Sequence, residues 1–511
     1  MSSDNNKRIA KNTLLLYFRM FLTMGISLYT SRIVLNTLGI EDFGIYNVVG
    51  GIVMMFSFLN TSMASATQRF LSFELGRNDL KELKRVFAMS LNIHATIAVV
   101  IFIVAETAGL WFLNNRMSIP LNRLLAANWV YQFSIFAFVV TIMSVPYNAL
   151  IISHERMNIF AMVSIAEVTL KLIIVIVLQR LNADKLKLYA ILVFFVALFI
   201  RLIYGIYCRR NLKGSKYYFF WDKQLYKRLI SYAGWNLWGN AAAVTYSQGV
   251  NILLNLFFGP SINAARGIAF QVKNAVNGFV SNFQMALNPQ IVKSYAEKDL
   301  LYMHQLIFQG ARYSFFLLFI LSLPVIIEAD TILLLWLKIV PDYTVLFCRL
   351  ILINALIDSI SGPLMTAAQA SGKIKVYQGV VGGLLLLILP MSYTFLAWGY
   401  PPQITLIISI SVSIIALGAR LLIISPLVKL SIRSFFKQIT RILIVVFSSV
   451  ILPILLKYSI EDMFLRLLVV CVASTVSVLS AIYFLGLRKE EVAFVRERFI
   501  DVLSKVKRKS E

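Results

Sequence analysis

Apolar runs of about 20 residues, bounded by charged residues or by Pro and Gly, recur about fourteen times along this chain, and a helix of that length spans a bilayer core. The approximate spans are 12–35, 44–67, 87–113, 124–145, 159–178, 186–208, 229–256, 262–286, 310–335, 344–369, 376–397, 403–425, 441–457 and 463–486. Their apolar positions are continuous rather than alternating, which excludes the in-and-out pattern of a membrane barrel. Because hydrocarbon offers no water to an unpaired peptide group, each run must satisfy its own backbone as a helix. The pattern predicts an all-α polytopic membrane protein of about 14 transmembrane helices.

Composition narrows this further. Of 511 residues, 59% are hydrophobic and 14% charged, and the mean hydropathy is +0.77. No loop is long enough to fold alone. The longest polar pieces are the stretch from about Arg209 to Arg228 and the tail after Gly486, so a soluble catalytic domain is excluded.

Lys and Arg number 49 against 24 Asp and Glu, a formal charge of +25. In a soluble protein such an excess suggests nucleic acid. Here it follows topology, because basic residues collect in cytoplasmic loops. With the N-terminus inside, Lys81, Lys84 and Arg85, then Arg209, Arg210, Lys213 and Lys216, then Lys505, Lys507, Arg508 and Lys509 all fall on one side. That requires an even number of spans. The expected location is the bacterial cytoplasmic (inner) membrane, with both termini cytoplasmic, the lipid bilayer as a partner and no nucleic acid. Met1 to Lys11 is polar and basic without a cleavage pattern after it, and reads as the lead into a first helix rather than a signal peptide.

An internal repeat is visible. Leu38-Gly39-Ile40-Glu41-Asp42-Phe43-Gly44 joins the first two spans, and roughly 220 residues later Phe258-Gly259-Pro260-Ser261 joins the seventh and eighth. Each is followed by a helix and a basic stretch near an acid, Glu74 and Glu297. The expected layout is an N-terminal six-helix lobe (1–210), a cytoplasmic linker (211–228), a C-terminal six-helix lobe (229–428), helices 13 and 14 (429–486) and a basic amphipathic cytoplasmic tail (487–511). Two six-helix lobes plus two C-terminal helices is a duplicated layout suited to alternating access. In the tail Val492, Val495, Phe499, Leu503 and Val506 recur at helical spacing, a pattern that fits either the anionic inner leaflet or a solvated terminal helix.

Enzymatic signatures are absent: there is no phosphate-binding glycine loop, no zinc-helix motif and no nucleophile elbow. His94, His154 and His304 are scattered, and Cys208, Cys348 and Cys471 lack metal or redox spacing. No catalysis, no metal and no cofactor are expected.

Charged residues inside the spans carry the information. An Arg or Lys at a helix centre in lipid costs about 2.5–3.5 kcal/mol on insertion scales, so it usually faces a polar cavity or a partner. On the eighth span Arg266, Lys273, Asn277 and Gln284 fall in a stripe roughly 40 degrees wide. The seventh span aligns Asn236, Asn240, Ser247 and Asn251, and the first aligns Asn12, Arg19, Thr23 and Thr30. A wet interior follows; interhelical hydrogen-bond seams are the competing reading. Arg32, Arg201, Arg349, Arg420 and Arg466 lie near span ends, where long side chains snorkel. Glu167 and Lys171 are spaced to pair with each other. Glu106 and Asp358 remain as unpaired acids, candidates to bind a coupling H+ or Na+ or to meet a partner from another helix.

Cations in a cavity point to an anionic cargo, and phosphate is the commonest group that Arg and Lys recognise. A diphosphate carrying about two charges would gain about 4.6 kcal/mol on moving outward across an inside-negative potential of about 100 mV.

The opening Thr30-Ser31-Arg32-Ile33-Val34-Leu35-Asn36-Thr37-Leu38-Gly39-Ile40-Glu41-Asp42-Phe43-Gly44-Ile45-Tyr46, and Gln68-Arg69-Phe70 before a basic stretch, resemble Wzx-like polysaccharide flippases of the multidrug/oligosaccharidyl-lipid/polysaccharide exporter superfamily. The span count and the linker before the seventh span fit that resemblance. It implies a flippase for polyprenyl-diphosphate-linked oligosaccharide in O-antigen, capsule or exopolysaccharide synthesis, working beside polysaccharide polymerase machinery. It also implies that Arg19 and Arg266 are the substrate-binding cations; Lys273 joins them from periodicity, with Asn240, Asn251, Asn277 and Gln284 as polar lining. Two alternatives stand beside it. A cation-coupled multidrug exporter of the same superfamily would be expected to place acids in its cavity. A glycan polymerase or ligase would need a large outer loop, whereas every outer loop here is short.

Overall fold

The computed structural model describes residues 2–54, 57–116, 119–258, 260–337, 340–488 and 490–493. Every regular element among them is helical. The first half contains α1 (Ser2–Met54), α2 (Ser57–Gly76), α3 (Leu80–Val104), α4 (Leu110–Arg116), α5 (Leu124–Ser153), α6 (Met157–Gln179) and α7 (Lys185–Asn211). The second contains α8 (Lys223–Phe258), α9 (Pro260–Ala296), α10 (Leu300–Ile327), α11 (Ala329–Leu337), α12 (Thr344–Ser371), α13 (Lys375–Ala397), α14 (Ile404–Val428), α15 (Ile432–Ser459) and α16 (Met463–Ala481). Eleven helical segments among the described residues are long and apolar enough to cross a membrane. The chain is a multi-pass membrane protein.

The helices outrun the apolar runs at their polar ends. The run at 87–113 lies within a helical stretch from Leu80 to Asn115, and the run at 262–286 within α9. Hydropathy marks where lipid lies; capping marks where a helix stops. Asp79 accepts the backbone N–H of Lys81 and Glu82 at 3.1 and 3.0 Å, and Asp299 that of Tyr302 at 3.0 Å. The residue before each cap, Asn78 or Lys298, has a positive φ, so one turn type recurs in both halves of the chain.

Inside α1, Gly39 breaks the helical geometry with φ 81 and ψ 168, a region nearly closed to other residues. A Cβ at Gly39 would meet nothing within 4 Å. Gly39→Ala is therefore expected to cost about 1–3 kcal/mol through backbone strain alone, seen as a lower melting temperature in detergent with the fold retained.

Three residues further on, Asp42 accepts the Arg123 Nε–H at 2.8 Å, and Arg123 also reaches Asp184 at 3.3 Å. Asp184 caps α7, with Lys187 Nζ at 3.3 Å. Burial raises the Asp184 carboxyl, but Lys187 and Arg123 outweigh it and hold the group below the usual carboxylate range. The acidic motif after Gly39 thus fastens α1 to the starts of α5 and α7.

The chain divides into two compact units. The first comprises Met1–Val244, Asn282–Leu306 and Thr366–Gly383. In it α5 packs on α2, α3 and α7, and α1 packs on α6, around a core that includes Phe70, Phe87, Leu150 and Cys208. The second comprises Thr245–Ser281, Ile307–Met365 and Leu384–Glu511. Its core gathers Leu254, Ala265, Phe347, Leu352 and Val412, and α15 packs on α16. Arg312, fully buried, pairs with Glu491 and donates to Gln438 Oε1 at 3.3 Å, tying the start of the C-terminal tail to α10 and α15. Of the tail stripe only Val492 is described; Val495, Phe499, Leu503 and Val506 lie outside the described residues, as does the Arg32 side chain.

The remaining end-of-span arginines each have a partner. Arg349 pairs with Asp330 at 2.6 Å, Arg466 with Glu328 at 3.4 Å, and Arg420 donates to Ser361 at 2.8 Å. Arg201 lies 3.9 Å over the Tyr147 ring. Glu167 and Lys171 pair at 2.7 Å, as their spacing requires.

Candidate functional site

Arg266, on α9, is 7% exposed. Its Nη2 donates to the Ser247 carbonyl at 3.0 Å and its Nη1 to Asn251 Oδ1 at 3.4 Å, while the guanidinium sits 4.5 Å over Phe270. Asn251 therefore meets Arg266 within the second unit, joining two stripes legible in the sequence. No carboxylate among the described residues forms an ion pair with Arg266, and its buried Nε lacks a hydrogen-bond partner. The bonds it makes are to neutral oxygens, which leaves its charge uncompensated.

Arg19, on α1 in the first unit, has the same character. Its Nη2 reaches Asn282 Oδ1 at 3.4 Å, Phe160 lies 4.9 Å beneath it, and its Nε is buried without a partner. Asn282 lies off the stripe through Asn277 and Gln284. Gln284 is half-buried in the first unit's part of α9, and the Asn277 carbonyl accepts the Ser281 hydroxyl at 3.1 Å. Asn240 donates to Ser62 at 3.0 Å.

Each of the two acids read as unpaired accepts a hydrogen bond from a side-chain amide. Gln132 donates to Glu106 Oε2 at 3.0 Å, across the π-helical turn at Ala105–Gly109. Asn354 donates to Asp358 Oδ2 at 3.2 Å, and the charges of Lys273 and Arg420 act on that carboxylate. Gln132 comes from α5, Lys273 from α9 and Arg420 from α14, partners that span-by-span reading cannot detect, whereas Asn354 lies four residues before Asp358 on α12 itself. Lys273 and Asp358, expected to serve different ligands, both lie in the second unit, where the Lys273 charge acts on the carboxylate. The Lys273 ammonium also lies 5.3 Å from the Phe270 ring, which Arg266 shares. No group of His, Cys, Asp and Glu among the described residues could hold a metal ion.

Two clamps in the first unit escaped the sequence reading. Glu155 ends α5 with φ 58, in a turn where Glu155 N–H bonds the Ile152 carbonyl and Arg156 N–H the Ile151 carbonyl. Glycine is the usual residue at such a stop. A glutamate there accepts backbone strain to deliver its side chain, which is almost wholly buried between Arg8 Nε at 2.7 Å, Gln290 Nε2 at 2.6 Å and Lys293. Asn12 adds a bond to the Glu155 carbonyl at 3.3 Å. The node joins α1, the α5–α6 turn and α9. Beside it, burial holds His154 below the usual imidazole range, helped by the charges of Lys293 and Arg156. A charged residue where a helix stop favours glycine was the available signal.

Arg69 of α2 makes the second clamp. Its Nε donates to the Gln369 carbonyl at 2.9 Å and its Nη2 to that of Ala370 at 2.7 Å, closing the end of α12. Phe70, Phe73 and Tyr232 surround the guanidinium. The sequence motif contained this arginine without giving it a role.

Residues 9–295 match the family described as polysaccharide biosynthesis protein. No curated protein matches the chain. Among solved structures, an outward-facing multidrug resistance MATE family transporter of the MOP superfamily aligns with a TM-score of 0.71 at 12% identity, over 83% of this chain and 96% of that one. A MOP superfamily transporter from Pyrococcus furiosus, described by the reverse polarity of its binding pocket, aligns with a TM-score of 0.69 at 12% identity, over 83% and 96%. A Vibrio cholerae MATE transporter in its bent form gives 0.66 at 16% identity, over 84% and 98%. The fold is that of MATE-like transporters.

Proposed function

Because the chain belongs to the polysaccharide biosynthesis protein family, we propose that it moves polyprenyl-diphosphate-linked oligosaccharide from the inner to the outer leaflet of the bacterial cytoplasmic membrane, by alternating access. The carrying observation is Arg266: a buried guanidinium bonded only to neutral oxygens. An uncompensated cation at membrane depth is costly, and a phosphate gives its fork a bidentate partner of opposite charge. Arg19 supplies a second such group in the first unit. Lys273 ranks below both, because Asp358 already answers part of its charge. The reading involves translocation without bond-making, so no catalytic residue is assigned.

The basic clusters support cytoplasmic termini, and the potential across that membrane favours outward movement of the anion. Glu106, with one buried carboxylate oxygen lacking a partner, is the better candidate for a coupling H+ or Na+ than Asp358. A cation-coupled multidrug exporter is the second reading, favoured by the fold of the aligned structures. Cells lacking their own polysaccharide flippase separate the two. Expression of this chain is expected to restore surface glycan and to confer no resistance to cationic dyes; dye resistance without restored glycan would reverse the assignment.

A further inference from the structure

We propose that a polar pocket at the Arg69 clamp is a phosphoryl-anion site, and that Arg69 exchanges there between the anion and the carbonyl groups closing α12. The inference rests on the reading above that the cargo carries a diphosphate.

The pocket has a volume of about 260 Å³ and lies wholly within the first unit. Thr61, Ser65, Gln68, Arg69 and Asn288 are among the residues lining it. Arg69 is 4% exposed, and its third nitrogen, Nη1, is buried without a hydrogen-bond partner. No carboxylate among the described residues forms an ion pair with it. Glu74, the acid whose charge acts on Arg69, is paired with Arg77 at 3.8 Å. Arg228 brings a second guanidinium to the same aromatic ring: Arg69 lies 4.6 Å and Arg228 5.1 Å from Phe70. The neighbourhood is cationic, with its fork spent on two neutral carbonyls.

A phosphoryl group offers the guanidinium a bidentate partner of opposite charge, which two neutral carbonyls do not. A phosphoryl group entering the pocket therefore draws the fork away from Gln369 and Ala370. The Gln369 carbonyl keeps the Gly372 N–H at 3.0 Å, whereas the Ala370 carbonyl gives up its bond from Arg69. Anion and clamp compete for one side chain. The end of α12 is fastened to α2 only after the headgroup has left Arg69, which orders loading before closure of this end.

The test uses the full chain in nanodiscs carrying Ala370→Cys, a position with no exposure in this state, and reads its rate of maleimide labelling. One arm adds inorganic diphosphate; the other places polyprenyl diphosphate in the bilayer, with polyprenyl alcohol as the neutral control. Labelling is expected to accelerate about tenfold with diphosphate, from a bond difference of about 1.4 kcal/mol, and not with the alcohol. Arg69→Gln is expected to label fast without any addition and to ignore diphosphate, with Arg69→Lys intermediate. Acceleration in the lipid arm alone assigns the site to the headgroup; acceleration in the inorganic arm alone assigns it to a free anion. No acceleration in either arm, or acceleration that survives Arg69→Gln, overturns the proposal. Arg266→Gln is expected to leave the acceleration intact. Normal glycan delivery by that variant would remove Arg266 from cargo binding, and failure of the unaltered chain to restore surface glycan would sink the transport reading, neither touching this result.

Discussion

Arg266→Gln is expected to cut outward delivery of lipid-linked glycan about 10- to 100-fold at unchanged protein level. The estimate follows from hydrogen bonds to a charged group, worth about 1.5–3 kcal/mol. Glutamine keeps much of the bulk over Phe270 and can still bond the Ser247 carbonyl, so packing is largely spared. Only the positive fork is lost. Arg266→Lys, which keeps charge but not bidentate geometry, is expected to fall between the two. Surface glycan measured in cells, normalised to folded protein by size-exclusion chromatography, checks this. Delivery unchanged in Arg266→Gln would remove this residue from cargo binding.

Glu155→Gln is expected to loosen the clamp on α9. A buried ion pair that loses one partner costs about 3–5 kcal/mol, because the remaining charge is left uncompensated. Here that charge is Lys293, since Arg8 is half exposed and can turn to water. A cysteine placed at Ser294, 2% exposed in this state, reports the opening. Its maleimide labelling is expected to rise about 100-fold in the Glu155→Gln background. Adding Lys293→Met removes the stranded charge and is expected to bring labelling most of the way back. Glu155→Gly separates backbone from side chain: it relieves the positive φ yet should label as fast as Glu155→Gln. Slow labelling in both single variants would show that the carboxylate does not hold α9.

The helices were legible because each apolar run had to satisfy its own backbone in lipid. Their ends were not, since Asp79, Asp184 and Asp299 set them by capping and hydropathy is blind to caps. Helical periodicity brought Arg266 and Asn251 forward from separate spans, and the structure joins them. It could not foresee that the Lys273 charge, on α9, would act on Asp358, on α12, because periodicity is a property of one helix at a time. The same limit hid Asn282 as the partner of Arg19. Glu155 and Arg69 were missed for another reason. Both act at helix ends, where a charged side chain is ordinary in sequence; Glu155 offered only its place at a glycine-favouring stop, and for Arg69 burial alone reveals its use. Asp42 had a motif around it, but its contact with Arg123 is structural, so a recognisable motif did not mean a cargo contact.

Transport by the purified chain in sealed vesicles, followed with a fluorescent sugar on three polyprenyl carriers, addresses the anionic-headgroup claim directly. With the potential set to drive anions in the direction of transport, the diphosphate carrier is expected to cross fastest, the monophosphate more slowly, and the neutral alcohol no faster than in empty vesicles. Equal rates for all three carriers, or a diphosphate rate unaffected by Arg266→Gln, would contradict it.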